Sequence, residues 1–295
     1  MAGNGKGFRI FSNIVLAILT IFAVAPFVLM FVSSITEEGT IMREGYSFIP
    51  RDVDFSAYKY LLTGAKGIVK AYGMTILVTV IGTIANMALT MALGYLLSKQ
   101  DLPGRNFLSF FVFFTMLFSG GMVPSYIIWS RVFKVSETFF GLLLPNLLMS
   151  PFNVILMRTY FTTNVPKEIL EAAEMDSCSQ VGMLFRICIP LSKPMIATIA
   201  LFSALAYWND WVNGMYYLIR RNDLSTIQYV LNKMQNQIDF FRQTAEASKI
   251  AKTTDIPSLG VRMAIAVVSI LPILMVYPFF QRQFVRGIVV GGVKG

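Results

Sequence analysis

Residues 10–35 read Ile10-Phe11-Ser12-Asn13-Ile14-Val15-Leu16-Ala17-Ile18-Leu19-Thr20-Ile21-Phe22-Ala23-Val24-Ala25-Pro26-Phe27-Val28-Leu29-Met30-Phe31-Val32-Ser33-Ser34-Ile35, without one charged side chain. A helix needs roughly 20 mostly apolar residues to cross about 30 Å of hydrocarbon, so the stretch is read as a membrane span. Lys6 and Arg9 ahead of it, with Ala23-Val24-Ala25 inside it, imitate a secretory leader. Pro26 and the continuing run through Val32 argue for a retained helix instead. Five similar stretches follow, near 71–97, 107–130, 139–161, 195–218 and 259–281. The expectation is an all-α, polytopic membrane protein with six transmembrane helices forming one domain over residues 1–295.

Composition agrees with that reading. The chain is 55% hydrophobic and 14% charged over 295 residues, with a mean hydropathy of +0.62. That leaves too little polar surface for a soluble globule, and it excludes a disordered, fibrous or disulfide-scaffold protein. Histidine is absent, which removes the commonest metal ligand and the usual general base at neutral pH. Cys178 and Cys188 are the only cysteines; they are too few for a metal site and read as small apolar side chains. The net charge of +9 reads as basic residues at membrane boundaries, not as a nucleic-acid surface. No phosphate loop, nucleophile elbow or zinc-binding HExxH pair occurs, so no catalytic residue, metal ligand or cofactor site is nominated.

With the amino terminus inside, segments 1–9, 98–106, 158–194 and 282–295 hold 11 Lys and Arg, against 14 in segments 36–70, 131–138 and 219–262. The whole-chain count therefore does not set orientation. The first span does: Lys6 and Arg9 precede it, while Glu37, Glu38 and Glu44 oppose a single Arg43 after it. Both termini are thus expected in the cytoplasm.

The segment 162–194, between the fourth and fifth spans, contains Asn164-Val165-Pro166-Lys167-Glu168-Ile169-Leu170-Glu171-Ala172-Ala173-Glu174-Met175-Asp176. Pro166 suits a helix start, and Glu168, Glu171 and Glu174 at three-residue spacing favour its dipole. Ser177-Cys178-Ser179 interrupts, with hydroxyls able to cap a second helix through Phe185 and Ile187, which Pro190 and Pro194 end. The spacing predicts a short helix–turn–helix at the inner membrane face. Ala172 and Ala173 would let another protein approach the backbone closely, with carboxylates beside them for basic partners.

Glu171-Ala172-Ala173, Asp176, Phe185 and Ile187-Cys188-Ile189-Pro190-Leu191-Ser192-Lys193-Pro194 resemble the EAA loop of ABC importer permeases. Phe118-Ser119-Gly120-Gly121-Met122-Val123-Pro124-Ser125-Tyr126, Leu144-Pro145-Asn146, Met157-Arg158, Tyr207-Trp208-Asn209-Asp210-Trp211 and Gly291-Gly292-Val293-Lys294-Gly295 follow in family order. Nearly the whole chain resembles the second permease subunit of maltose-type carbohydrate importers, in the branch for oligosaccharides and polysaccharide fragments. Two positions depart: the family has glycine where Ser177 stands, and often leucine where Ile189 stands. Serine there is strained if the turn demands positive φ.

The resemblance implies a non-enzymatic permease in the bacterial cytoplasmic membrane, forming half of a heterodimeric pore. Its implied partners are a second permease subunit, two ATP-binding subunits, an extracytoplasmic solute-binding protein, an oligosaccharide substrate and membrane lipid. ATP and Mg²⁺ would be held by the ATPases and not by this chain. Glu171, Ala172, Ala173, Asp176, Ser177, Ile187 and Pro190 would form the coupling contact with an ATPase. Gly291, Gly292 and Lys294 of the tail would lie against the ATPase pair.

Asp210 stands about 15 residues from the inner end of its span, roughly 22 Å up. With Trp208, Asn209, Trp211 and Asn213 it reads either as lining for a sugar's path or as a helix-packing cluster at the outer interface. In the outer loop 219–258, Ile227, Val230, Leu231, Met234, Ile238 and Phe241 recur at helical spacing. That amphipathic helix reads as a contact for the binding protein, or as one resting on the bilayer or the second permease. The outer segments carry a net +4, which would suit uronate-containing sugars. A self-sufficient carrier or channel, or a membrane enzyme or assembly factor for envelope glycans, are the competing readings. The EAA loop discriminates, because a carrier without an ATPase has no use for an alanine-faced docking helix.

Overall fold

The computed structural model describes residues 5–63, 65–243 and 259–275. Among them the chain is helical, with no sheet and one isolated bridge between Thr36 and Val53. The helices in order are α1 (Gly5–Ser34), α2 (Glu38–Glu44), α3 (Ser56–Thr63), α4 (Ala65–Ser98), α5 (Arg105–Leu117) and α6 (Met122–Ile127). After them come α7 (Phe139–Leu143), α8 (Pro151–Asn164), α9 (Lys167–Met175), α10 (Gln180–Met183), α11 (Ile189–Leu191), α12 (Lys193–Trp208), α13 (Val212–Tyr217) and α14 (Ile227–Gln243). The apolar helix α15 (Leu259–Met275) follows. Wide π-helical turns, Ile128–Val132 and Leu184–Cys188, extend α6 and join α10 to α11.

The described residues divide into two compact units, one drawn from Met1–Ile68 and Leu231–Pro272, the other from Val69–Val230 and Ile273–Gly295. In the first, α1 leaves Phe11, Leu19 and Phe22 exposed. That is unsustainable in water for so long an apolar helix, and natural where lipid replaces water. The segment after α1 folds back on itself: Glu37 donates its backbone N–H to Asp52 at 2.9 Å and Asp54 donates to Ile35 at 2.9 Å. The Thr40 hydroxyl donates to the Asp52 carboxylate at 2.7 Å, and Ser34 and Tyr58 share a hydroxyl bond of 2.7 Å.

Among the described residues two helices, Gly7–Ser34 and Gly67–Ser98, are long and apolar enough to cross a membrane, and the number rises to four if two sharply bent pairs each count as one span. The bent pairs are Arg105–Leu117 with Met122–Val132, at 114°, and Gln180–Leu191 with Lys193–Trp208, at 89°. The first bend falls on Gly121, whose φ of +85° suits a residue without Cβ. The second falls on Ser192, ahead of Pro194.

Residues 139–161, expected as one span, form no single helix. Pro145 follows the end of α7, Pro151 opens α8 at its first position, and between them Asn146 takes φ +61°. A broken helix in a membrane must find partners for its freed carbonyls, and the second unit supplies them. The Tyr207 hydroxyl donates to the Leu143 carbonyl at 3.0 Å. Asn213 donates to the Pro145 carbonyl at 3.0 Å and Asn86 to the Leu147 carbonyl at 2.9 Å. Ser150 caps α8, its hydroxyl accepting the Asn153 N–H at 3.4 Å. Helix α4 runs beside this break, and its glycines allow close approach: a Cβ on Gly82 would stand 2.4 Å from the Tyr207 ring, and one on Gly94 2.8 Å from Met157.

Outside the expected spans, Glu137 fastens two turns. Its carboxylate accepts the N–H groups of Ile219 and Arg221 at 2.9 Å and of Arg220 at 3.0 Å. Partial burial raises its pKa, but the three N–H donors of Arg220, Arg221 and Ile219 outweigh this and hold it below the usual carboxylate value.

The candidate coupling loop and a polar cleft

Pro166 precedes α9, and the helix ends by the rule for a left-handed cap. Asp176 is its last half-helical residue and Ser177 takes φ +56°. The Ser177 N–H then bonds the Glu174 carbonyl at 3.0 Å and the Cys178 N–H bonds the Ala173 carbonyl at 2.9 Å. These are the two reverse bonds of a Schellman turn, where glycine is the usual residue. The turn thus demands positive φ of a serine. Ser177→Gly is expected to stabilise the loop by about 1 kcal/mol, read as roughly fivefold slower amide exchange over 172–178. Unchanged or faster exchange would refute the strained turn. Ser179 caps α10, its hydroxyl accepting the Gly182 N–H at 3.1 Å.

The helix–turn–helix rests on a core of Met87, Tyr95, Met157, Phe161, Met183, Leu184, Cys188 and Ile199, with Leu170, Ala173, Cys178, Ile187 and Ile189 packed against it. Burial pushes the Cys188 thiol up to about 11 against a smaller lowering by Lys99, so it remains a neutral, small apolar group. The loop is also held by polar contacts. Gln180 donates to the Glu174 carboxylate at 3.1 Å and accepts from the Tyr95 hydroxyl at 2.9 Å and from Lys99. Lys99 reaches Glu174 at 3.9 Å.

The loop residues singled out in the sequence therefore separate into two faces. Ala173 and Ile187 turn inward. Glu171, Ala172, Asp176, Ser177 and Pro190 remain exposed, as do the apolar side chains of Met175 (87% exposed) and Phe185 (61%). Ala172, Met175 and Phe185 are thus open to the outside, while Ala173 belongs to the protein's own core. Gly291, Gly292 and Lys294 lie outside the described residues.

The residues around Asp210 are divided as well. Asp210 accepts the N–H groups of Val212 at 3.1 Å and Asn213 at 3.3 Å, opening α13 as a capping residue. Asn213 is buried and spans to Pro145. Asn209 donates to the Leu205 carbonyl at 3.0 Å, Trp208 lies against Tyr72 with ring centroids 6.3 Å apart, and Trp211 is exposed. Asp210 and Asn213 thus serve the local fold. The expected outer-loop helix is present as α14, with Ile227 and Leu231 buried; the side chains of Ile238 and Phe241 fall outside the description.

A cleft of about 370 Å³ opens elsewhere, between α4, the broken segment, α8 and α12. Its polar walls are Asn86, Asn146, Ser150, Asn153 and Ser203, and its apolar faces include Phe152 and Phe202. Asn86 organises it: its Oδ1 accepts from Ser203 at 2.7 Å and Thr90 at 3.3 Å, and Asn153 donates to the Ser203 hydroxyl at 3.4 Å. Reading along the sequence missed this group. Its signal was polar residues inside apolar runs, Asn86 and Ser203 above all, together with the motif Leu144-Pro145-Asn146. Among the described residues no cluster of three His, Cys, Asp or Glu could hold a metal ion.

Comparison with known proteins places this geometry. The chain is 34% identical over 293 residues to Protein LplC of Bacillus subtilis (strain 168), covering 99% of this chain and 96% of that one. It is 34% identical over 290 residues to the polygalacturonan/rhamnogalacturonan transport system permease protein YtcP of the same organism, covering 97% and 99%. A crystal structure of a bacterial ABC transporter involved in the import of the acidic polysaccharide alginate contains a chain that superposes with a TM-score of 0.79 at 32% identity, covering 96% of this chain and all of that one. Residues 89–290 match the family of binding-protein-dependent transport system inner membrane components, and the chain belongs to that family.

Proposed function

We propose that the chain is the membrane-spanning permease subunit of an ATP-driven ABC importer for oligosaccharides or polysaccharide fragments. It forms half of a heterodimeric pore with a second permease, takes sugar from an extracytoplasmic binding protein, and is driven by two ATP-binding subunits that hold the ATP and Mg²⁺. Six spans, counting the broken ones, return both termini to the cytoplasm of a bacterial inner membrane. The observation that carries this reading is the loop of residues 162–194: a short helix seated on a firm core, presenting Glu171, Ala172 and bare Met175 and Phe185 outward. Such a face suits a groove on another protein. A rigid-body motion of the ATPases then reaches the spans through the core beneath it, because Met183 and Leu184 of the loop pack with Met87, Met157 and Ile199 of the helices.

A self-sufficient carrier or channel is disfavoured by membership of a binding-protein-dependent family. The substrates of relatives, among them polygalacturonan and rhamnogalacturonan for YtcP and alginate for the solved transporter, support polysaccharide fragments as the cargo. The test is a mild-detergent pull-down of the tagged chain from its native membrane. Recovery of a second permease and an ATPase is expected, and recovery of the chain alone refutes the importer.

A further inference from the structure

The cleft at Asn86 lies deep in the proposed membrane. Ser203 stands ten residues after the start of α12, roughly 15 Å at 1.5 Å per residue. Asn86 stands twelve residues before the end of α4, roughly 18 Å by the same rise. Both are near the middle of a hydrocarbon layer about 30 Å thick. Polar groups at that depth face water, a ligand or another polar surface, because lipid gives them no hydrogen bond.

Several groups in the cleft keep unused hydrogen-bonding capacity. Asn86 and Ser203 are committed to each other and to the Leu147 carbonyl. Asn153, only 4% exposed, uses its amide N–H₂ toward Ser203, while its Oδ1 has no acceptor role among the described residues. The Asn146 carboxamide likewise has no partner among them, and positive φ holds it at the break. Phe152, half exposed, adds an aromatic surface. Among the described residues no charged side chain lines the space. Neutral amides that both donate and accept, beside an aromatic ring, match the alternating hydroxyls and C–H faces of a sugar ring. A volume of about 370 Å³ holds roughly one or two sugar units at a time.

We infer that this cleft is a sugar-binding subsite on the translocation path, in which Asn146, Asn153 and Phe152 contact the hydroxyls and the apolar face of a pyranose or furanose unit. The inference rests on the importer reading. Being uncharged, the subsite reads the hydroxyl pattern of the sugar, so neutral and uronate units bind through the same groups.

The test uses the complete complex in proteoliposomes with its binding protein, and three probes: a trigalacturonate, an alginate trisaccharide and an arabinotriose. The variants are Asn146→Gly, which keeps positive φ and deletes the amide, and Phe152→Leu, which keeps apolar bulk and deletes the ring. Each is expected to raise KM for the transported probe about fivefold to tenfold, with unchanged Vmax and unchanged recovery of the second permease. Wild-type KM in both variants overturns the subsite alone. Loss of the second permease from either variant makes the cleft a helix–helix seam and likewise overturns it. Failure of the wild-type complex to import any of the three probes overturns the importer reading together with the subsite.

Discussion

Glu171→Lys is expected to abolish uptake, by about 100-fold or more, while leaving the chain inserted in the membrane at its normal level. Glu171 is exposed and makes no ion pair among the described residues, whereas Glu174, three residues on, is engaged by Gln180 and Lys99. The free carboxylate beside Ala172 is the group available to a basic partner. Reversing its charge replaces attraction by repulsion at a closing interface, and disrupting such a pair costs about 2–5 kcal/mol. Glu171→Gln, which removes the charge without reversing it, should retain part of the uptake. The measurement is initial uptake rate against the amount of chain in purified membranes. Normal uptake by stably inserted Glu171→Lys would remove the coupling role from this face.

The second large effect concerns folding. Gly82→Leu is expected to leave little folded protein, because the first added carbon would stand 2.4 Å from the Tyr207 ring. Moving that ring costs about 1–3 kcal/mol in overpacking, and it also withdraws the hydroxyl from the Leu143 carbonyl, leaving a buried acceptor unpaired at about 1–3 kcal/mol more. Gly73 in the same helix has nothing within 4 Å of its ideal Cβ, so Gly73→Leu should accumulate normally. Tyr207→Ala combined with Gly82→Leu should recover part of the yield by vacating the space. Detergent-solubilised yield and unfolding temperature decide the matter. A Gly82→Leu chain that accumulates and unfolds like the wild type would mean that the two helices are not in this contact.

Much of this was legible along the chain. The apolar run from Ile10 to Ile35 appears as one helix through Ser34. The loop from Pro166 to Pro194 appears as two helices, with Ser179 capping the second. The strain at Ser177 could also be foreseen, since a serine stands where the resembling family has glycine. The sequence leaves Asp210 between two readings, and its bonds to the N–H groups of Val212 and Asn213 follow from the turn that opens α13. The division of the alanine pair, with Ala172 outward and Ala173 inward, required the core beneath the loop.

The distinction has a physical origin. Hydropathy, helix starts and turn caps depend on residues within a few positions of one another, so composition and spacing alone determined a helical membrane protein with a short helix–turn–helix between two of its apolar stretches. The broken segment between Leu143 and Pro151 is different, because its carbonyls are satisfied by Asn86, Tyr207 and Asn213, which lie 61, 64 and 68 residues away. The bond from Ser203 to Asn86 spans 117 residues. No local pattern announces partners at such separations, since the requirement they meet exists only once the helices have packed and water has been excluded. Tertiary structure alone therefore decided that the expected fourth span is interrupted, that Asn213 closes the interruption, and that Asn146 and Asn153 are left facing an open polar cleft.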